Sequence, residues 1–343
     1  MGLDYKLVLW NKHKKTYDKI IALGMVLYLV LFIVLTLVFN PETIAETMII
    51  RAFGSLAVIM LHIILVIGPL SRLNPQFLPI LYNRRHLGVS MFLAALIHGA
   101  FAIIHFHTLG NVNPIYAVFT SNMDYGSLTN FPFQVLGFLA LLILFFMAST
   151  SHDFFLKNLS PKVWKGLHML VYVAYALILM HVFLGAFQQE TSIFTIGVLL
   201  IGFILVTGIH LVAAFKESRI DGFRGEKDTG GWLKVCDVHE IPEDRAKIFS
   251  VGKKRVAIFK YEGKLSAINN VCKHQGGPLG EGKIVDGCVT CPWHGYQYLP
   301  HNGQSPPPFT EKVATYELRL DNDIIYVNPN AFEEGTEVEP ILC

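Results

Sequence analysis

Near its C-terminal end the 343-residue chain reads Cys272-Lys273-His274, then sixteen residues, then Cys291-Pro292-Trp293-His294-Gly295. Two thiolates and two imidazoles, one of each on two short loops, suit a 2Fe–2S centre with two Cys on one iron and two His on the other. A structural zinc also takes Cys and His, but it usually spaces each ligand pair by two to four residues, and Cys272-x-His274 is tighter than that. Gly276-Gly277-Pro278-Leu279 and the run ending at Gly295 let backbone amides wrap closely around a metal–sulfur core. The spacing predicts Cys272, His274, Cys291 and His294 as metal ligands, in a protein that carries electrons.

A second set of chemically able residues lies in apolar sequence. Eight of the fourteen histidines fall in or beside long hydrophobic runs: His62, His86, His98, His105, His107, His168, His181 and His210. Ionisable side chains there are costly and demand a reason. The runs cover roughly 19–39, 54–70, 86–107, 132–150, 163–186 and 192–215, each about the length of a bilayer span. Six transmembrane helices are expected. A Lys-rich stretch without a small-residue cleavage site precedes the first, which therefore does not read as a signal peptide.

Basic residues set the expected orientation. Lys6, Lys12, Lys14, Lys15 and Lys19 precede helix one, Arg72, Arg84 and Arg85 follow helix two, and Lys157 and Lys162 follow helix four. The three intervening loops hold only Arg51. By the positive-inside rule both termini are cytoplasmic, and so are the metal-ligand loops. All five cysteines lie in that half, where a reducing compartment argues against structural disulfides. The formal net charge of +2 says nothing further about partners, and no stretch has the basic, aromatic-interleaved character of a nucleic-acid surface.

On this topology helices three and five are parallel. His86 and His98 are twelve residues apart and His168 and His181 thirteen, about 18 and 20 Å along a helix. Two pairs of imidazoles at matched depths could bind two haems, one above the other, through paired axial His. Twelve and thirteen residues differ in helical phase by about 100°, so tilt or bending must help aim them. His105, seven residues after His98, shares its face and stays an alternative ligand. His62 and His210 read as hydrogen-bonders within the bundle, and His13, His152, His239 and His301 as surface residues.

The remaining organisation follows from composition. Residues 1–18 form a tail, 19–215 the membrane domain, 216–229 a charged, Gly-rich linker, 230–330 a soluble domain and 331–343 a C-terminal tail. The soluble part holds short β-rich runs at 232–235, 246–250, 255–261, 264–269, 283–286, 288–290, 315–319 and 324–327, separated by signals such as Glu262-Gly263 and Asp321-Asn322-Asp323. The expected fold is an all-α six-helix transmembrane bundle followed by an all-β antiparallel domain with two cluster-binding loops.

Two resemblances extend this reading. Arg84-Arg85-His86-Leu87-Gly88 with Ala95-Leu96-Ile97-His98, and Trp164-Lys165-Gly166-Leu167-His168 followed by His181, resemble the signatures of ferric-reductase-like transmembrane domains over roughly residues 50–215. That superfamily includes NADPH oxidases and the haem subunit of bacterial methionine sulfoxide reductase systems. The resemblance implies a six-helix bundle with haem b between the third and fifth helices, held by His98, His168 and His181. It also implies a bacterial inner membrane. His86 falls off the family's ligand position.

Residues 230–330 resemble small Rieske ferredoxins that feed ring-hydroxylating oxygenases. Rieske proteins of the cytochrome bc type add a disulfide whose positions fall close to Gly277 and Trp293, and a Ser where Tyr296 stands, while Tyr298 keeps their aromatic hydroxyl. One donor fewer to the cluster implies a lower potential than the quinol-oxidising type.

No G-x-G-x-x-G follows a strand, so the flavin and nicotinamide module of NADPH oxidases has no counterpart here. The expected function is transfer of single electrons from a cytoplasmic redox partner through the 2Fe–2S centre and haem b, outward to a quinone, metal or extracytoplasmic acceptor. Inward delivery from quinol to a soluble enzyme, a redox sensor, a transporter and a Rieske oxygenase are the competing classes. The last would need a mononuclear iron domain, for which the chain has no room.

Overall fold

The computed structural model describes residues 12–81, 83–151, 158–189, 193–222, 225–252, 254–293 and 295–343. His152, Lys157 and the expected ligand His294 lie outside them. The helices are α1 (Lys12–Phe39), α2 (Ala45–Leu73), α3 (Leu78–Leu81), α4 (Arg84–His107), α5 (Pro114–Thr120), α6 (Phe133–Ser149), α7 (Pro161–Met169), α8 (Val171–Gln189) and α9 (Ile193–Asp221). Two compact units result, one of residues 11–69 and 83–210, the other uniting 70–82 with 211–343.

The helical unit follows the hydropathy of its sequence. Five helical stretches are long and apolar enough to cross a membrane, and Phe133–Ser149 is a shorter apolar helix. α6 is short because Pro132 precedes it and Thr150 ends it, its hydroxyl bonding back to the Phe146 carbonyl at 2.7 Å. The chain is an integral membrane protein, and the large apolar side chains exposed along α1, α8 and α9 suit lipid contact. The fifth expected span is not one helix. Ser160 caps α7, with Pro161 in its first turn, and the segment breaks at Leu170 before α8 begins. His168 and His181 therefore sit on separate helical pieces, which changes the phase inferred for a single helix.

The other unit is all-β. Its strands are β1 (Leu233–Asp237), β2 (Arg245–Val251), β3 (Lys254–Tyr261), β4 (Lys264–Asn269), β5 (Lys283–Val285), β6 (Cys288–Thr290), β7 (Gln297–Tyr298), β8 (Thr315–Tyr316), β9 (Leu318–Asp321), β10 (Ile324–Val327) and β11 (Ile341–Leu342). The sheets run β1-β10-β9, β11-β4-β3-β2 with β8 on β4, and β5-β6-β7. Glu262-Gly263 joins β3 to β4 and Asn322-Asp323 joins β9 to β10, each as a two-residue turn with both φ angles positive, the form that matches strand twist. β3 is apolar without alternation because both its faces are buried. Val256 and Ile258 enter one core, Ala257 and Phe259 the other.

Three boundaries differ from expectation. α9 continues to Asp221 and Lys227 already bridges Leu233, so the linker is shorter than 216–229. The run 315–319 divides into β8 and β9. The C-terminal tail belongs to the domain: β11 pairs with β4, and the Val338 amide donates to the His301 carbonyl at 2.8 Å.

Candidate redox centres

The β unit holds the predicted ligand loops on rigid strands. One loop leaves β4 and returns at β5, and the other joins β6 to β7. Both fold alike. The Gly276 amide donates to the Cys272 carbonyl at 2.8 Å and the Gly295 amide to the Cys291 carbonyl at 2.9 Å, with both glycines at φ 73°. That φ suits glycine and strains other residues. Buried Asn270 secures the first loop, accepting from the Gly280 amide through Oδ1 at 2.7 Å and from the Leu279 amide through its carbonyl at 2.8 Å.

Within this frame the Cys272 and Cys291 thiols are buried and adjacent. The Cys291 thiol is the largest influence on Cys272, pulling its pKa below the usual thiol value. Burial opposes this, while the Tyr298 hydroxyl and the His274 and Gln275 amides add to it. The Tyr298 hydroxyl lies 3.4 Å from Cys272 Sγ and accepts from the Lys273 amide at 2.9 Å. Gly277 packs so tightly that a Cβ would come within 2.8 Å of Cys291 Sγ and 3.2 Å of the Trp293 ring. Residues 277 and 293, expected to mark the missing disulfide, do face each other.

His274 stacks on Tyr296, ring centroids 5.0 Å apart and 7° from parallel, and the Tyr296 hydroxyl donates to Glu311. The His274 Nδ1 atom is buried beside the ligand loops, and a neutral imidazole nitrogen there can serve as a metal ligand. Two adjacent thiols from two loops, with an imidazole two residues after one of them, suit a cluster whose ligands are shared between two irons.

In the helical unit His98 and His181 come together. Their ring centroids are 6.1 Å apart. A metal between two imidazoles, with bonds of about 2 Å and about 1.2 Å from nitrogen to ring centre, sets centroids roughly 6 Å apart. The two rings are held in the same way. His98 Nδ1 bonds the Ile50 carbonyl at 2.8 Å and His181 Nδ1 the Phe133 carbonyl at 2.9 Å. Each ring also lies on the glycine four residues further along the same helix. A Cβ on Gly54 would come within 2.7 Å of the His98 ring, and one on Gly137 within 2.8 Å of the His181 ring. An Nδ1–H given to a carbonyl fixes the tautomer that presents Nε2 as a ligand. These residues fit a haem with two axial His.

His86 and His168 are engaged separately. His86 Nδ1 meets Asp18 at 2.7 Å. His168 stacks on Trp164 at 3.8 Å, bonds the Trp164 carbonyl at 3.0 Å and lies 3.4 Å from Ser151 Oγ. His105 packs on Phe106, and His107 bonds Gln134 at 2.6 Å. His210 bonds the Val206 carbonyl and Tyr172, as a bundle hydrogen-bonder should. His62 departs from that expectation: it is buried against Tyr175, and its Nε2 has no partner among the described residues. Sequence reasoning also missed the glycine seats. Their only trace is the four-residue spacing of Ile50 to Gly54 and of Phe133 to Gly137.

A membrane bundle with facing histidines and a β domain with paired Cys–His loops define a membrane-bound electron-transfer protein. The Rieske [2Fe-2S] domain model matches residues 231–317, and the ferric reductase like transmembrane component model matches residues 53–179. The anthranilate 1,2-dioxygenase ferredoxin subunit of Burkholderia cepacia is 32% identical over 98 residues, 28% of this chain and 91% of that protein. The biphenyl dioxygenase ferredoxin subunit of Pseudomonas sp. (strain KKS102) is 33% identical over 100 residues, again 28% and 91%. Among solved structures, the ferredoxin of carbazole 1,9a-dioxygenase from Nocardioides aromaticivorans IC177 matches at 22% identity with a TM-score of 0.28, covering 29% of this chain and 98% of that one. The chain belongs to the Rieske [2Fe-2S] family through its C-terminal domain, joined to a ferric-reductase-like transmembrane component.

Proposed function

We propose that the protein passes single electrons between a cytoplasmic Rieske centre and a haem b in the membrane, and outward to an acceptor reached from the haem. A 2Fe–2S centre and a haem b each supply a one-electron couple. Cys272, Cys291 and His274, with His294, would hold the first. His98 and His181 would hold the second.

The protein's own contribution is positioning. The Ile50 and Phe133 carbonyls fix the two imidazole tautomers, and Gly54 and Gly137 let both rings approach their neighbouring helices. Tyr298 hydrogen-bonds Cys272 Sγ, which favours the more negative sulfur of the reduced state and raises the potential. Buried Tyr296 packs on His274 and restricts its ring.

The observation that carries this reading is the 6.1 Å facing of His98 and His181 in the chain that also bears the Rieske loops. Optical and EPR redox titration of the detergent-purified full chain tests it. Haem b bands and a Rieske signal in one protein are expected. Absence of haem bands would end the transmembrane half of the reading.

A further inference from the structure

The C-terminal end of α9 carries charges that a helix alone does not favour. Glu217 and Asp221 stand one turn apart there, where the negative pole of the helix and their mutual repulsion both disfavour carboxylates. Arg219, between them in sequence, packs on Phe215 instead. The answering cation comes from the β domain. Arg255 on β3 grips Asp221 with two parallel bonds, Nε to Oδ1 at 2.7 Å and Nη2 to Oδ2 at 2.8 Å. Its Nη1 donates to Glu217.

A second pair lies at the end of α2. Arg72 Nε is 3.2 Å from Glu281 Oε1, and Lys216 of α9 donates to the Arg72 carbonyl at 2.6 Å. All of these residues belong to the unit that unites 70–82 with 211–343. Both pairs end on the frame of the first ligand loop. The Arg255 carbonyl accepts from the Asn270 amide at 2.9 Å, and Asn270 in turn holds the Leu279 and Gly280 amides. Glu281 is the next residue. Gly280 is wedged so closely that a Cβ would come within 2.6 Å of Ile248 and 3.0 Å of Ala257, which locks the loop to β2 and β3.

Stability alone does not account for these pairs. Burial pushes the Glu281 carboxyl up to about 7, and the Glu281 and Glu217 side chains are only 13% and 17% exposed. Ion pairs drawn out of water in this way add little net stability, and their best-attested use is to fix one arrangement against others. Two pairs on one rigid frame also fix an orientation, whereas a single contact leaves it free to pivot.

We propose that Arg72 and Arg255 are positioning residues: with Glu281, Glu217 and Asp221 they form a two-point ionic latch that holds the first cluster loop in one orientation on the ends of α2 and α9. The Rieske domain is then seated on both helix ends and does not swing on the chain between Asp221 and Leu233. This goes beyond the electron-transfer reading and depends on the Rieske domain alone.

EPR of the reduced cluster in oriented membrane multilayers of the full chain tests the latch. A seated domain gives a signal whose shape changes strongly with the angle between membrane and field, and a swinging domain one that barely changes. The angular dependence should be strong in the wild type and largely lost in the Arg72→Gln, Arg255→Gln double variant. Arg72→Lys with Arg255→Lys should keep part of it. Arg72→Glu should weaken it, and adding Glu281→Arg should recover it, a rescue that a merely structural role does not give.

Hydrogen exchange with mass spectrometry decides the matter for any variant that loses its cluster. Arg72→Gln should speed exchange about fivefold in the segment 278–284, distant in sequence, the upper value for one partly exposed pair. Unchanged angular dependence in the double variant, unchanged exchange in Arg72→Gln, or a wild-type signal without angular dependence would each overturn the latch. A protein with no Rieske signal would end the reading of the ligand loops, and exchange would still decide the latch. Haem enters neither readout, so the electron-transfer reading and the latch can fail separately.

Discussion

His98 and His181 face each other at 6.1 Å between ring centroids, each ring turned by a backbone carbonyl of a neighbouring helix and resting on the glycine four residues beyond that carbonyl. The pair predicts its own mutational pattern. His98→Ala and His181→Ala should each abolish haem absorption while the Rieske EPR signal persists. Gly54→Val and Gly137→Val should lower haem content as well, because their side chains would occupy the space of the imidazoles. A glycine variant with full haem occupancy would show that the seat is incidental.

The cluster loops predict a potential. Tyr298→Phe removes the hydroxyl that lies 3.4 Å from Cys272 Sγ. One hydrogen bond of about 1 kcal/mol corresponds to about 40 mV for a one-electron couple, so the midpoint should fall by that order. The wild-type midpoint should itself lie below about +200 mV, away from the top of the Rieske range. Redox titration followed by EPR measures both, and an unchanged midpoint in Tyr298→Phe would remove Tyr298 from the account.

Gly277→Ala should cost the protein its cluster. The added methyl would meet Cys291 Sγ at 2.8 Å and the Trp293 ring at 3.2 Å, and neither has a soft direction in which to yield. Iron and acid-labile sulfide per protein should fall well below wild type, with haem content unchanged. Full cluster occupancy in the variant would contradict the packing described.

Glu281 predicts a pH dependence of the β unit. Burial pushes its pKa up from 4.5 to about 7, against the pull of Arg72 at 3.2 Å and of Arg255, and with Glu217 adding to the rise. Asp221 and Glu217 in turn hold Arg255. A carboxyl with a raised folded pKa contributes stability in full below its unfolded value and loses it as pH rises through the folded one. Between pH 4.5 and 7 the unit should lose up to about 3 kcal/mol from this group. Glu281→Gln should flatten that limb of a stability-against-pH curve from thermal unfolding, and an unaltered slope would assign the dependence elsewhere.

Much of this molecule was legible in its residues because the informative signals were local. The ligand loops announced themselves through Cys272-x-His274 and Cys291-x-x-His294, and the hydrophobic runs through length and composition. What stayed hidden depends on neighbours distant in sequence. The break at Leu170 has no proline or glycine to mark it. The pairing of His86 with Asp18 joins α4 to α1, and no spacing rule connects them. Depth arithmetic sets His86 beside His168, but depth does not fix azimuth, and the contacts of His86 with Asp18 and of His168 with Trp164 are not readable from spacing. β7 was too short for a pattern of alternation, and β11 lay in a tail that looked too polar to belong to a sheet. His62 was read as an ordinary hydrogen-bonder because a sequence does not show which side chains of α8 and α9 its imidazole meets.

The central claim is that cluster and haem belong to one electron path, and pre-steady-state reduction of the purified full-length protein tests it most directly. The cluster is reduced by a rapid one-electron donor at substoichiometric amounts, and the haem band is followed in time. The account predicts haem reduction at a first-order rate independent of protein concentration, lost in His98→Ala and His181→Ala. A cluster that is reduced while the haem stays oxidised, or a rate that scales with concentration, would contradict it.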